Sequence, residues 1–434
     1  MDKMADVLGR AGAWCGQNKY LSAIKNAFQN FMPLTIAGAI GVLWCNVLVN
    51  DQTGLGLFFK PIMALDFLNP AFQAVNFCTI SCITVGITLG IAQEIGVWNM
   101  GAERAGYIPG LVGLAAWLSV TNTSHMVDGA KEAFTGIAGN ELGATGLFTG
   151  MIIGVLSVEL FCFFEKQDAL KIKMPEQVPP GVARAFEVLV PATITLIITA
   201  CIGSACYNLT GLYLNDVIKN GVQGPLGAVG ATVPGVMIIY LVIMLFWLVG
   251  IHGNNMLSAV KEALFTPLAL ENVEAFNKGE TPKNIINMYF LQMCGEFGGS
   301  GVTIGLVIAI MIFGKREDNK AIATLSLVPG LFNINETVTF GIPMVLNPIL
   351  GIPFVFACLV TILVGYVLTV IGFCPVACLT VPWTTPPIVF GFLACGANVM
   401  GAVTQAILIV VSTVIYVPFL ISYEKYQNKQ AAEA

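Results

Sequence analysis

Long apolar blocks with almost no charge dominate this 434-residue chain. Hydrophobic residues make up 56% of it and charged residues only 10%, whereas a soluble domain carries about 25% charged residues. The blocks are roughly 20 residues long, which is the length a helix needs to cross about 30 Å of hydrocarbon. The sequence therefore predicts an all-α integral membrane protein. The clear spans are Phe31–Val49, Ala74–Ala92, Ala105–Val120, Leu147–Phe164, Val188–Cys206, Val233–Gly250, Ile286–Phe313, Phe354–Phe373 and Ala402–Ile421.

Three further stretches are apolar only in patches: Ile251–Asn284, Ala321–Pro353 and Cys374–Gly396. Irregular backbone survives at membrane depth only where protein or a water-filled cavity satisfies its polar groups. Such interrupted segments are typical of binding sites inside membrane proteins. We therefore expect about ten transmembrane helices plus two re-entrant hairpins. Surface amphipathic helices are also expected, among them the N-terminal segment 1–20.

Basic residues predict the orientation in the membrane, because they accumulate on the cytoplasmic side. The loops between the clusters carry single lysines, Lys60, Lys131 and Lys219. Both termini are therefore expected in the cytoplasm, with an even number of crossings. No basic stripe of the kind that binds nucleic acid is present. The basic clusters are Lys3, Arg10, Lys19 and Lys25; Lys166, Lys171, Lys173 and Arg184; Lys315, Arg316 and Lys320; and Lys425 and Lys429.

The interrupted segments all lie in the second half of the chain, which suggests two domains. We expect an N-terminal scaffold of about five transmembrane helices over 1–211, a linker over 212–224 and a substrate-binding domain over 225–434. Three glycines spaced four apart, Gly146, Gly150 and Gly154, permit close helix packing. That packing is either within the chain or at a dimer contact. The last apolar block ends near residue 421, so no soluble domain is expected after it.

Most of the 12 cysteines lie inside apolar blocks, where a thiol packs as a small hydrophobic group. No Cys-x2-Cys pair of the kind that binds zinc occurs. The sequence therefore predicts neither a metal site nor a bound cofactor.

One polar motif lies at the end of the sixth span and reads Trp-Leu-Val-Gly-Ile-His-Gly-Asn-Asn from Trp247 to Asn255. Its polar side chains are His252, Asn254 and Asn255. An imidazole within the membrane is costly unless a partner or a cavity meets it. Asparagine side chains both donate and accept hydrogen bonds, as sugar hydroxyls require. The alternative is a histidine at a helix end whose ring is satisfied by backbone.

A second motif places Asn335 and Glu336 between an apolar half-segment closed by Pro-Gly and a Gly-Ile-Pro sequence. This order is typical of the tip of a re-entrant hairpin. A carboxylate at membrane depth indicates a functional site by default.

A third motif surrounds Trp383 and Thr384 with three prolines. A flat aromatic ring suits the apolar face of a pyranose, although a tryptophan of this kind also anchors membrane interfaces. A fourth motif is a glycine-rich break at Glu296, which is either part of a site or a helix hinge. It lacks the Gly-Lys-Ser/Thr of a nucleotide-binding loop.

Three of these motifs occur in an order that resembles the EIIC subunits of the lactose/cellobiose family of bacterial phosphotransferase systems. They are Ile251-His252-Gly253, the sequence from Asn335 to Pro343, and Val-Pro-Trp-Thr-Thr-Pro-Pro from Val381. The resemblance covers nearly the whole chain and is nearest to the diacetylchitobiose transporters.

The resemblance implies a multi-pass protein of the bacterial cytoplasmic membrane that forms homodimers through its N-terminal domain. It implies that the C-terminal domain holds a β-linked disaccharide between two re-entrant hairpins and carries it across by a rigid-body shift. A separate soluble EIIB, supplied by EIIA, then phosphorylates the sugar. The motif histidine and glutamate correspond to His252 and Glu336, beside the hydroxyl to be phosphorylated.

Residue chemistry adds roles to that outline. We expect Glu336 to orient the accepting hydroxyl and to take its proton, with His252 as its partner. Asn254, Asn255 and Asn335 are expected to hydrogen-bond the sugar. Trp383 is expected to stack on it, with Thr384 beside it.

Two other classes of function remain open on the sequence alone. An ion-coupled secondary transporter would use Glu336, Glu296 or His252 as the coupling site. An integral membrane enzyme would use His252 and Glu336 as a general base pair.

Overall fold

The computed structural model describes residues 10, 13–14, 17–51, 55–125, 134–175 and 177–433. The expected surface helix over residues 1–20 lies mostly outside these residues. Helices dominate, with one two-stranded antiparallel hairpin, Ser124–His125 paired with Phe134–Thr135. The all-α membrane fold predicted from the apolar blocks is confirmed.

The chain divides into two compact units. The first unit contains residues 17–38 and 74–227, and the second contains 39–73 and 228–434. The helix that begins at Lys19 therefore starts in one unit and ends in the other.

The helices of the first part of the chain are α1 Lys19–Leu43, α2 Asn69–Asn76, α3 Ile83–Met100, α4 Ala102–Ala105, α5 Ile108–Val120, α6 Gly139–Leu142, α7 Ala144–Glu165, α8 Pro180–Thr210, α9 Leu214–Ile218 and α10 Gly224–Gly230. Short 3₁₀ or π-helical segments are Trp44–Leu48, Leu55–Leu57, Lys60–Leu68, Phe77–Ser81, Asp168–Leu170 and Lys219–Gln223.

The helices of the second part are α11 Val233–Leu248, α12 Gly253–Met256, α13 Ser258–Asn277, α14 Met288–Gly295, α15 Ile304–Phe313, α16 Glu317–Leu331, α17 Glu336–Gly341, α18 Gly351–Val370, α19 Val389–Ala394 and α20 Val399–Glu433. A 3₁₀ turn, Ser300–Val302, lies between α14 and α15.

Within the described residues, five helices are long and apolar enough to cross a membrane, and two further spans are bent helix pairs. Two shorter apolar helices, α5 and α11, add to these. Each of the nine predicted apolar blocks overlaps one of these nine elements. Exposed large apolar side chains on them, such as Leu156, Ile197 and Val414, suit a lipid surrounding.

The glycine stripe of α7 packs inside the first unit, where α7 crosses α3. A Cβ atom on Gly150 would lie 2.2 Å from the Thr88 hydroxyl, and one on Gly154 would lie 3.1 Å from the Thr88 carbonyl oxygen. Gly146 faces the Glu141 backbone in the same way. The stripe therefore serves close packing within the chain, the first of the two alternatives above.

The seventh apolar block along the chain, Ile286–Phe313, is not one continuous span. Its halves, Met288–Val302 and Ile304–Phe313, meet at an angle of 59°. The cause is a run of glycines with positive φ: Gly298 at 67°, Gly299 at 88° and Gly301 at 75°. Only glycine adopts such angles without strain, so the helix ends at Gly295 and restarts three residues after Gly301.

The interrupted stretches differ from one another. Ile251–Asn284 contains a continuous 20-residue helix, α13, so it is less broken than its composition predicts. Cys374–Gly396 is irregular apart from the short α19.

Candidate functional site

His252 lies where the chain turns after α11. Gly250, with φ of 82°, reverses the backbone, and His252 then caps the N-terminus of α12. The Asn255 amide donates a hydrogen bond of 3.3 Å to Nδ1 of His252. Since Nδ1 accepts, the ring proton of the neutral imidazole is assigned to Nε2, which becomes a hydrogen-bond donor. The ring packs against buried Trp247, with centroids 4.4 Å apart.

Glu336 begins the short helix α17, and its side chain is exposed. Within the described part of the chain its carboxylate makes no hydrogen bond or ion pair. The segment of Glu336 and the segment of His252 meet at Ser300, to which Asn335 and Asn254 both donate hydrogen bonds. The site therefore brings together an acceptor, the Glu336 carboxylate, and a donor, Nε2 of His252. A sugar hydroxyl needs one of each.

Asn254 and Asn335 meet at Ser300, in the break between α14 and α15. Asn254 donates to the Ser300 hydroxyl at 3.0 Å, and Asn335 donates to the Ser300 carbonyl oxygen at 2.8 Å. A Cβ on Gly299 would lie 2.5 Å from Cγ of Asn335, so the glycine is needed for the two segments to approach. Both asparagines therefore already have protein partners.

A buried ion pair lies beside these residues. Lys261 of α13 contacts the Glu296 carboxylate, and the Tyr240 hydroxyl donates to the same carboxylate oxygen at 2.7 Å. Lys261 also donates to Asn254 at 3.3 Å. The pair is thus part of the same polar site, held by α11, α13 and the end of α14.

Asn333 joins three broken segments. Its amide oxygen accepts a hydrogen bond from the Gly298 N–H at 2.6 Å. Its amide nitrogen donates to the carbonyl oxygens of Trp383 at 2.5 Å and Thr385 at 3.1 Å. The proline-rich loop is therefore tied to the segment that carries Glu336.

The other predicted residues occupy less connected places. Trp383 is 44% exposed. Thr384 is half-buried in the same loop, and the Asn255 side chain is exposed. Among the described residues, no group of three or more His, Cys, Asp or Glu side chains is arranged to hold a metal ion.

Sequence reasoning found His252, Glu336 and the glycine break, but it missed Lys261, Tyr240 and Asn333. Lys261 could not be singled out from the sequence because it is one cation near the start of a helix of mixed polarity, where a solvated position is equally consistent with the pattern. Its one signal was the carboxylate at Glu296, which needs a partner inside a membrane.

Comparison with known proteins matches this architecture closely. Residues 25–358 match the family described as phosphotransferase system, EIIC. The oligo-β-mannoside-specific EIIC component of Bacillus subtilis (strain 168) is 32% identical over 98% of this chain and 94% of the relative. The cellobiose-specific EIIC component of Lactococcus lactis subsp. lactis (strain IL1403) is 29% identical over 98% of both chains.

A solved structure shares the fold as well. It is the crystal structure of the transporter ChbC, the IIC component from the N,N'-diacetylchitobiose-specific phosphotransferase system. The TM-score is 0.88 and the identity 29%, with 97% of each chain covered.

An all-α, multi-pass membrane transport protein is the class that this fold and its polar site define. The chain belongs to the EIIC family of the phosphotransferase system. It is accordingly a sugar-transporting membrane component that works with a partner EIIB.

Proposed function

We propose that the chain binds a β-linked disaccharide, N,N'-diacetylchitobiose in first place and cellobiose next, and presents it for phosphorylation by EIIB. The observation that carries this proposal is a site in which a Glu336 carboxylate without a partner among the described residues and the Nε2 donor of His252 flank the hydrogen bonds of Asn335 and Asn254 to Ser300. The relatives named for oligo-β-mannoside and cellobiose, and the ChbC structure named for N,N'-diacetylchitobiose, support the substrate class.

The chemistry at the sugar hydroxyl follows from that pairing. The Nε2–H of His252 donates to the hydroxyl oxygen and orients it, and Glu336 accepts the hydroxyl proton. The oxygen then attacks the phosphorus of phosphorylated EIIB, and the bond between phosphorus and EIIB breaks. A positioned general base contributes about 10²–10⁴-fold to such a step.

The expected division of labour completes the proposal. Residues 1–211 serve as scaffold and homodimer contact, 212–224 as linker, and 225–434 as the sugar-binding part that shifts as a rigid body between alternating access states. Both termini lie in the cytoplasm, where EIIA supplies phosphoryl groups to EIIB. Asn254, Asn255, Asn335, Trp383 and Thr384 contact the sugar.

Purified chain in liposomes tests the proposal. Labelled diacetylchitobiose and cellobiose are supplied with or without phosphorylated EIIB, and both sugar uptake and phosphosugar are measured. We expect phosphosugar inside the vesicles only with the donor and with Glu336 intact. Accumulation of unmodified sugar that follows a proton or sodium gradient would contradict the proposal in favour of ion coupling. Conversion of the sugar by the chain alone would contradict it in favour of a membrane enzyme.

A further inference from the structure

The segments around the candidate sugar site leave polar backbone groups at membrane depth, and these groups need partners. Asn333 provides three such partners. It accepts from Gly298 in the break between α14 and α15, and it donates to Trp383 and Thr385 in the proline-rich loop. Among the described residues, no other side chain hydrogen-bonds to both of these segments.

The backbone of Asn333 is suited to this position. Its φ of 63° lies in the left-handed region, which asparagine tolerates better than other non-glycine residues. The residue follows the last turn of α16, and its backbone N–H donates a hydrogen bond of 3.0 Å to the Gly330 carbonyl oxygen. The left-handed turn directs the chain out of α16 and into the segment that begins α17.

Asn333 lies three residues before Glu336 in the chain, and Asn335 between them fixes Ser300. The segment 333–336 is therefore anchored to the glycine break at two points, through Gly298 and Ser300. Among the described residues, Asn333 makes the only side-chain hydrogen bonds between this segment and the Trp383 loop. Any movement of the Trp383–Thr385 backbone away from Asn333 must break the bonds made by the side-chain nitrogen of Asn333.

We propose that Asn333 is a positioning residue. It holds the Trp383 loop against the glycine break, so that the distance between the Trp383 ring and the sugar hydroxyl to be phosphorylated stays fixed. The sugar-binding part of this inference rests on the proposed function. The two halves of the Asn333 amide have separate tasks: the oxygen holds the break, and the nitrogen holds the loop.

Two substitutions separate these tasks. Asn333→Asp keeps an acceptor for the Gly298 N–H but replaces the donor with an oxygen that repels the Trp383 and Thr385 carbonyls. Asn333→Gly removes all three side-chain hydrogen bonds and retains a residue that accepts positive φ. Asn347→Ala is the matched control, because Asn347 also makes three hydrogen bonds to backbone groups, all of them local: Pro343, Ile349 and Leu350.

The readouts are amide hydrogen exchange in detergent and disaccharide affinity. We expect Asn333→Asp to speed exchange across Trp383–Thr385 while the Gly298 amide stays protected. Asn333→Gly is expected to speed exchange at both places. Both variants should bind diacetylchitobiose about tenfold more weakly, because sugar binding must then restore the position of a loop that has lost its hydrogen bonds to Asn333. Asn347→Ala should change neither exchange at these sites nor affinity.

The inference is wrong if the two Asn333 variants match the control in exchange, or if exchange changes but affinity does not. A wild-type chain that binds none of the disaccharides would refute the proposed function and with it the sugar-spacing role. The exchange pattern would then still decide whether Asn333 connects the two segments, so the two failures are distinguishable.

Discussion

The Tyr240 hydroxyl donates a hydrogen bond of 2.7 Å to Glu296, a carboxylate that ends the first half of a broken membrane helix. Lys261 contacts the same oxygen, with only 8% of its side chain exposed. A buried charge without its partner is far more costly than a buried pair. The arrangement therefore makes the three residues mutually dependent.

Breaking this pair from either side is expected to destabilise the protein. Lys261→Met and Glu296→Gln should each cost about 3–5 kcal/mol, because each leaves the remaining group without its counter-charge. The double variant should recover part of that loss. Thermal unfolding in detergent measures the coupling as a double-mutant cycle. Additive single effects would show that Lys261 and Glu296 do not depend on each other.

Tyr240→Phe provides a milder test at the same carboxylate. The substitution keeps the ring in its fully buried place and removes only the hydroxyl. A hydrogen bond to a charged group contributes about 1.5–3 kcal/mol, so the loss should be smaller than for either charged residue. The same unfolding assay checks it, and an unchanged midpoint would mean that the Tyr240 bond is not stabilising.

Glu336→Gln should separate sugar binding from phosphorylation. Glutamine keeps a hydrogen-bond acceptor, so disaccharide affinity should change by no more than about threefold. Loss of the proton acceptor should lower the rate of phosphosugar formation by about 10²–10⁴-fold. Rates with saturating phosphorylated EIIB give the measurement, and Thr337→Ala, at the exposed neighbouring position, is the control. Equal loss of affinity and rate would assign Glu336 to binding only.

The contact between Trp247 and His252 should control the position of the imidazole. Trp247→Phe keeps an aromatic ring beside His252 and removes an indole N–H that has no partner among the described residues. We expect it to retain both fold and sugar affinity. Trp247→Ala should cost about 3–5 kcal/mol of stability. Sugar titrations and unfolding curves compare the two variants, and an equally severe Phe variant would contradict this role.

Two glycines with nearly equal φ angles allow the cost of backbone strain to be measured separately from the cost of steric crowding. Gly301 has φ of 75° and Gly372 has φ of 77°, so alanine at either costs about 1–2 kcal/mol. A Cβ on Gly301 would also lie 2.4 Å from the Phe354 ring, whereas nothing lies within 4 Å of one on Gly372. Overpacking adds about 1–3 kcal/mol. Gly301→Ala should therefore lower the unfolding midpoint more than Gly372→Ala. Equal midpoints would show that the Phe354 ring moves aside and that no overpacking results.

Much of the fold follows from composition, because a span must be apolar over about 20 residues and charge can gather only outside it. The nine apolar blocks each predicted a helical element on that basis. The break inside Ile286–Phe313 was harder to predict. Its glycines are also compatible with an ordinary helix hinge. The positive φ values of these glycines, which the sequence does not reveal, break the helix and place Glu296 and Ser300 among the residues of the site.

The same distinction applies to the site residues: composition points to some of them, whereas tertiary contacts alone select the others. His252 and Glu336 were candidates from the sequence alone, since a titratable group in an apolar setting is costly enough to indicate function, and their roles stay predictions. Their neighbours were not, because tertiary contacts over long separations select them. Asn333 reaches a loop 50 residues away, and Tyr240 reaches a carboxylate 56 residues away. Whether Asn254, Asn255, Asn335, Trp383 and Thr384 contact sugar stays a prediction.

The broken helix also bears on how the chain enters the membrane. The half-helix Met288–Gly295 is about 12 Å long at 1.5 Å per residue, too short to cross on its own. The Gly298 amide after it finds its acceptor on the Asn333 side chain, which is synthesised 35 residues later. Insertion of these segments is therefore a cooperative event. A nascent chain that has made only residues 288–313 still lacks the Asn333 side chain that accepts the hydrogen bond of Gly298.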